Sequence, residues 1–224
     1  MNSTQNMTDR AGRLSAILDA QPVMPVLVIE DIRSAVPLAR ALVAGGLSGI
    51  EITLRTSAAL DAIRAVKDEV DGVKVGAGTV LTGGQWDKAV AAGAEFIVTP
   101  GATSNLLSAA RNSQVPLLPG ASTVSEIMFL RDEGYNVVKF FPAEQSGGAA
   151  YLKALASPLA DIHFCPTGGI SLRNAADYLS LPNVICIGGS WLAPADLVAV
   201  RDWAGVTNLA RETRHSLGQR HHPH

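Results

Sequence analysis

Cysteine is scarce in this chain, with two residues, Cys165 and Cys186, among 224. Both fall in apolar, strand-like runs, which reads as buried free thiols of a cytosolic protein. Long apolar runs are missing too. None approaches the roughly 20 residues needed to span a bilayer. The opening, Met1–Asp9, is polar and lacks the apolar centre of a signal peptide. Neither sign of charge dominates: a net charge of −2 and a pI near 6.2 give no electrostatic case for nucleic acid or an acidic membrane. Clustered metal ligands are also lacking. His163 and Cys165 share a strand face with Cys186 on the next strand, but structural zinc wants four ligands at closer spacing, so core packing is the better account.

What is present describes a packed domain. Hydrophobic residues make up 47% and charged residues 17%, a balance typical of one folded unit with a substantial core. Residues 1–8 and 218–224 are expected to be loose tails around a single unit spanning 9–217. The three histidines near the end belong to that terminus. Within the unit, short β-branched runs alternate with helical patterns. An amphipathic helix over 9–20 precedes strands over 23–29, 49–54, 73–77, 95–99, 116–118, 136–141, 162–165 and 183–187. Each is followed by a helical pattern, and the last helix is expected over 194–217.

Eight strands, each followed by a helix, match a single-domain α/β (β/α)₈ TIM barrel with an extra N-terminal helix. The competing architecture is an open doubly wound sheet, which normally carries a glycine-rich phosphate loop after its first strand. Here that strand leads into Glu30-Asp31-Ile32-Arg33, with no glycine. The glycines cluster after the third, seventh and eighth strands instead, which favours the barrel.

The strand over Asn136–Phe141 carries one lysine. Side chains alternate faces, so Val137, Lys139 and Phe141 share one side. A lysine among hydrophobes on a strand buried on both faces is costly, because desolvation disfavours the ammonium. Two readings follow: a stem that snorkels to solvent, or an amine nucleophile that forms a Schiff base with a carbonyl substrate. In a barrel, chemistry sits at the carboxyl ends of the strands. Glu51, Thr53 and Arg55 share a face at the end of the second strand. Gly168-Gly169 and Gly188-Gly189-Ser190 close the seventh and eighth, where backbone amides and helix N-termini suit a phosphate.

Seven segments then carry a resemblance. They are Glu51-Ile52-Thr53-Leu54-Arg55-Thr56, Val75-Gly76-Ala77-Gly78-Thr79-Val80-Leu81, Thr99-Pro100-Gly101, Pro119-Gly120-Ala121-Ser122-Thr123-Val124-Ser125-Glu126, Val138-Lys139-Phe140-Phe141-Pro142-Ala143-Glu144, Phe164-Cys165-Pro166-Thr167-Gly168-Gly169-Ile170 and Cys186-Ile187-Gly188-Gly189-Ser190-Trp191. Together they resemble 2-keto-3-deoxy-6-phosphogluconate (KDPG) aldolase across essentially the whole chain except the tails. The resemblance implies a class I aldolase of the Entner–Doudoroff pathway, cleaving its phosphorylated 2-keto acid to pyruvate and D-glyceraldehyde 3-phosphate. It further implies cleavage of 4-hydroxy-2-oxoglutarate to pyruvate and glyoxylate, and a cytoplasmic homotrimer with no metal and no cofactor.

By the same resemblance, Lys139 is the Schiff-base lysine and Glu51 the general acid/base, and Arg55 holds the substrate carboxylate. Thr79, Pro100, Phe141 and Thr167 line a pyruvate pocket, and Gly168, Gly169, Gly188, Gly189 and Ser190 form the phosphate end. Arg55 is expected close to Lys139, where its charge would disfavour the ammonium. A structural ion pair at a strand end is the plain alternative for Glu51 and Arg55. A phosphosugar isomerase or synthase barrel, or a barrel that only binds sugar phosphates, remains the competing function.

Overall fold

A computed structural model describes residues 3–218 as ten helices and nine strands. In chain order these are α1 (Ser3–Asp19), β1 (Val23–Leu27), α2 (Ile32–Ala44), β2 (Gly49–Thr53), α3 (Ala59–Glu69), β3 (Lys74–Gly78), α4 (Gly83–Ala91) and β4 (Phe96–Val98). There follow α5 (Ser104–Arg111), β5 (Leu117–Leu118), β6 (Gly120–Ala121), α6 (Val124–Asp132), β7 (Val137–Phe140), α7 (Gly148–Leu155), β8 (His163–Pro166), α8 (Ala175–Leu179), β9 (Ile187–Gly189), α9 (Ala195–Ala199) and α10 (Trp203–Ser216).

The expected closed ring of eight strands is not what forms. Six parallel strands make a curled half-barrel in the order β5-β4-β3-β2-β1-β9, and β6-β7-β8 make a separate small sheet. One physical cause is Pro119. It has no N–H to give to a ladder, and it falls between Leu118 and Gly120, so pairing breaks there: the expected 116–118 strand is β5, in the larger sheet, and Gly120–Ala121 form a separate β6 in the smaller one. The other seam, between β8 and the segment ending in β9, carries only the isolated bridges Phe164↔Val184 and Thr167↔Gly188.

Two further departures are local. The expected 194–217 helix is two helices, α9 and α10, parted near Arg201, whose φ of 57° is left-handed and cannot continue a helix. At the other end α1 starts at Ser3, ahead of the expected 9. The histidine-rich end, 219–224, lies outside the described residues.

Strand parity divides the interior in two. Ile50, Ile52, Val75, Ala77, Ile97, Val138, Phe140 and Phe164 point outward into the large cluster beneath the helices. Residues of opposite parity, including Met24, Phe96, Val98, Leu118, Val137 and Cys165, point inward and meet Leu14 and Leu18 of α1. Cys165 and Cys186 are both buried free thiols of this inner cluster. Each fully buried leucine contributes roughly 1.5–3 kcal/mol, so α1 is fastened to the sheets by its apolar stripe. Arg10, 8% exposed, adds hydrogen bonds to the Ala110 carbonyl and, at 2.7 Å, to that of Ser113. Lys139 shares its parity with Val137, so its side chain enters the inner space that α1 helps to pack.

Candidate active site

Two inward-pointing side chains from different sheets meet inside. Glu51 lies in the middle of β2, between Val26 of β1 and Gly76 of β3. Lys139 lies on β7, between Gly120 of β6 and Cys165 of β8. Lys139 Nζ approaches Glu51 Oε1 to 3.4 Å, with the side chains only 6% and 3% exposed. A charge pair this dry is held by mutual need, since removing either partner strands the other in a medium that cannot solvate it. The Lys139 ammonium also stands 5.4 Å from the centroid of the Phe141 ring, within cation–π range. The snorkelling alternative for Lys139 is therefore set aside: its head group is in the interior, 5% of the residue exposed.

Backbone without side chains makes room for this pair. A Cβ on Gly78 would sit 2.0 Å from Glu51 Oε1 and 2.6 Å from its Cγ and Cδ. A Cβ on Gly76, one layer deeper, would run 2.3 Å from the Phe96 ring. The inner face of β3 thus donates its volume, first to a core aromatic and then to an acid. Gly120, opposite Lys139, is likewise pressed on the Pro100 carbonyl and the Thr99 oxygen, where a Cβ would come within 2.3–2.5 Å. Sequence reasoning gave none of these three glycines a role. The available signal was glycine inside strands, which marks close approach of another group.

The other candidate residues lie at the carboxyl ends of the strands. Thr79, directly after β3, is half-buried with φ 56°. A β-branched residue in the left-handed region costs of order 1–3 kcal/mol and persists only where its surroundings impose it. Phe141 and Thr167 are joined to the Lys139 strand: the Thr167 N–H donates to the Phe140 carbonyl at 2.9 Å. The bridge Thr167↔Gly188 sets the Gly168-Gly169 loop beside Gly188-Gly189. Gly188 must lack a side chain, because its Cβ would meet Thr167 Oγ1 at 2.2 Å, and Gly189 faces the Trp191 ring at 2.1 Å. Gly168 and Gly169 adopt φ of 106° and 75°, which glycine alone takes readily. Ser190 is exposed beside them.

Arg55 lies on the turn after β2, exposed and with no ion pair among the described residues, while the carboxylate beside Lys139 is that of Glu51. The turn consumes a residue through the Arg55 N–H to Thr53 carbonyl bond of 2.8 Å, which ends the strand alternation that placed Arg55 alongside Glu51. The helices after the glycine pairs start further along the chain, α8 at Ala175 and α9 at Ala195, each five residues long, and Asn174, the N-cap residue of α8, donates through Nδ2 to the Gly169 carbonyl at 3.3 Å. Any anion there would rest on loop backbone and on Ser190.

Among the described residues there is no group of three or more His, Cys, Asp or Glu that could hold a metal ion, and no helix long and apolar enough to cross a membrane. The family model for KDPG and KHG aldolase matches residues 14–209. A 2-dehydro-3-deoxy-phosphogluconate aldolase of Pseudoalteromonas atlantica is 54% identical over 191 residues, covering 85% of this chain and 89% of that protein. The crystal structure of a KDPG aldolase from Legionella pneumophila, with pyruvate captured as a covalent carbinolamine intermediate, superposes with a TM-score of 0.87. It is 44% identical and covers 89% of this chain and 97% of that one. The aldolase of Zymomonas mobilis, solved with 3-phosphoglycerate, gives a TM-score of 0.84 at 48% identity, covering 89% and 93%.

Proposed function

This chain belongs to the KDPG and KHG aldolase family, and from that premise we propose that Lys139 is its Schiff-base nucleophile and Glu51 its proton carrier. The protein is a carbon–carbon lyase that cleaves 2-dehydro-3-deoxy-6-phosphogluconate to pyruvate and D-glyceraldehyde 3-phosphate. The observation that carries the assignment of residues is the 3.4 Å approach of Lys139 Nζ to Glu51 Oε1 in the dry interior.

Charge dictates the sequence of events. Glu51 accepts a proton from the Lys139 ammonium as substrate enters, which frees the nitrogen lone pair for attack on the C2 ketone. Glu51 then returns that proton to the carbinolamine hydroxyl, which leaves as water and gives a protonated imine, with Glu51 again a carboxylate. That cation is an electron sink, so the C3–C4 bond breaks to an enamine while Glu51 takes the proton of the C4 hydroxyl and the aldehyde departs. Protonation at C3 and hydrolysis return pyruvate and the free amine. Arg55, exposed at the end of the acid's strand and free of a carboxylate among the described residues, is suited to hold the substrate carboxylate by a planar fork of donors. Thr79, Pro100, Phe141 and Thr167 line the pyruvate end. Gly168, Gly169, Gly188, Gly189 and Ser190 form the phosphate end; the left-handed glycines and the Thr167↔Gly188 bridge support that placement.

Incubation with pyruvate and borohydride tests the reading. One reduced pyruvyl adduct on Lys139, located by peptide mass mapping, is the expected result. Folded protein that takes up no adduct would hand the site to an isomerase or synthase, or to a sugar-phosphate binder without chemistry.

We place the enzyme in the cytoplasm, in the Entner–Doudoroff pathway, with 4-hydroxy-2-oxoglutarate as a second substrate cleaved to pyruvate and glyoxylate. The assembly we propose is a homotrimer, supported by the exposed Val124, Met128 and Phe129 on α6, whose apolar area favours covering. Sedimentation should return three times the chain mass; a particle of one chain mass refutes the trimer.

A further inference from the structure

The loop that leaves the Lys139 strand is sewn to the loop proposed for the phosphate. The Ala143 N–H donates to the Thr167 carbonyl at 2.8 Å, and the Glu144 N–H to that of Gly168 at 3.1 Å. The Glu144 side chain then lies across Gly169, where a Cβ would fall 2.6 Å from its Cγ and 2.7 Å from its Cβ. Glu144 Oε1 accepts a hydrogen bond from the Tyr178 hydroxyl of α8. Tyr178 is 1% exposed, so that hydroxyl is fixed by its surroundings. Gly148 passes beneath the bond, with a built Cβ 3.4 Å from Glu144 Oε1 and 3.5 Å from the Tyr178 oxygen. From the other side, Asn174 Nδ2 donates to the Gly169 carbonyl at 3.3 Å, while Asn174 Oδ1 accepts from the Ser171 N–H at 2.8 Å. The reaction steps assign this carboxylate and phenol no task.

We propose that Glu144 and Tyr178 are a positioning pair. Their bond sets the Thr167–Gly169 loop at the distance from Lys139 that a phosphorylated 2-keto acid spans, and thereby favours phosphorylated over unphosphorylated substrates. The proposal rests on the reading of Gly168-Gly169 as the phosphate end. With no lysine or arginine in either glycine loop, an anion there is held by backbone amides and the Ser190 hydroxyl, so a small drift of the loop weakens it. Burial, and next the Glu144 carboxylate, push the Tyr178 phenol up from its ordinary value, which keeps it a proton donor throughout the neutral range.

Steady-state kinetics on two substrates test the pair. Tyr178→Phe should raise KM for 2-dehydro-3-deoxy-6-phosphogluconate about tenfold, equivalent to ~1.4 kcal/mol, with kcat little changed. Its constants on 4-hydroxy-2-oxoglutarate, which has no phosphate, should stay within about twofold of the parent, the scatter of an uninvolved substitution. Glu144→Leu keeps the stem over Gly169 and removes the acceptor, so it should reproduce the same split. The double variant should be no worse than either single one, because both delete one bond. Equal losses on both substrates, no loss on either, or additive losses in the double variant overturn the pair. Inorganic phosphate separates this failure from failure of its premise. If phosphate competes with the phosphorylated substrate in the parent protein while Tyr178→Phe is unaffected, only the pair falls. If phosphate does not compete in the parent, the phosphate end is misassigned and the pair falls with it.

Discussion

Lys139→Met loses aldol cleavage by on the order of 10⁴-fold or more, the scale of deleting a covalent nucleophile, and leaves no borohydride-trapped adduct. Methionine matches the lysine stem in length and flexibility, so the inner packing around Val137 and Cys165 is preserved. What changes is the partner of Glu51. Its carboxylate, 3% exposed and 3.4 Å from the missing nitrogen, is left in a medium that solvates charge poorly, at a cost of roughly 3–5 kcal/mol if it stays ionised. The single variant should therefore melt earlier than the parent. Adding Glu51→Gln removes the stranded charge, so the double variant should regain stability while remaining inactive. That pattern isolates chemistry from folding. Lys139→Met with cleavage within about tenfold of the parent would remove the lysine from the mechanism, since no covalent nucleophile is so dispensable.

Why the lysine was legible and the closure of the barrel was not comes down to the range of the forces involved. The period-two alternation of Val137, Lys139 and Phe141 is a local property that puts Lys139 on one side with Val137, and Val137 belongs to the inner cluster. Strand order is also nearly local in a parallel βαβ chain, which is why β1 to β4 fall beside one another as expected. Whether the ring closes depends on individual ladder bonds between strands distant in sequence. One missing donor at Pro119 and a seam reduced to two bridges decide it. The expected strand ends at Leu118, just before the break, so the sequence marks an interruption without revealing that the sheet parts there.

The site divides in the same way. The residues proposed to do chemistry stand out by being out of place, a buried lysine and a buried glutamate in apolar strands. For Arg55 parity stops short, because β2 ends at Thr53 and the Arg55-to-Thr53 turn ends the alternation. Periodicity marks a helix better than its first residue, and α8 and α9 begin only at Ala175 and Ala195. Gly78, Gly120 and Tyr178 were invisible for another reason: their importance lies in which group approaches them, and that group comes from another strand or helix.

Gly78→Ala is the severest test of that last point, and it should cost about 10²-fold or more in kcat/KM, as a misplacement near 1 Å does elsewhere. An alanine Cβ would overlap Glu51 Oε1 at 2.0 Å and its Cγ and Cδ at 2.6 Å, contacts that no structure tolerates. Either β3 retreats or Glu51 swings. β3 is paired along its whole length with β2 and also with β4, in the larger sheet, so the acid yields first. Its swing breaks the 3.4 Å contact through which Glu51 is proposed to exchange a proton with Lys139. Overpacking should also lower stability by ~1–3 kcal/mol, so loss of fold must be told apart from loss of geometry. Gly76→Ala supplies the control. It adds the same methyl to the same face of β3, but against the Phe96 ring at 2.3 Å instead of the acid. It should melt earlier by a similar amount yet keep kcat near the parent value. Equal losses of turnover in the two variants, or a Gly78→Ala enzyme within threefold of the parent, would mean that the place of the Glu51 carboxylate is not what limits the reaction.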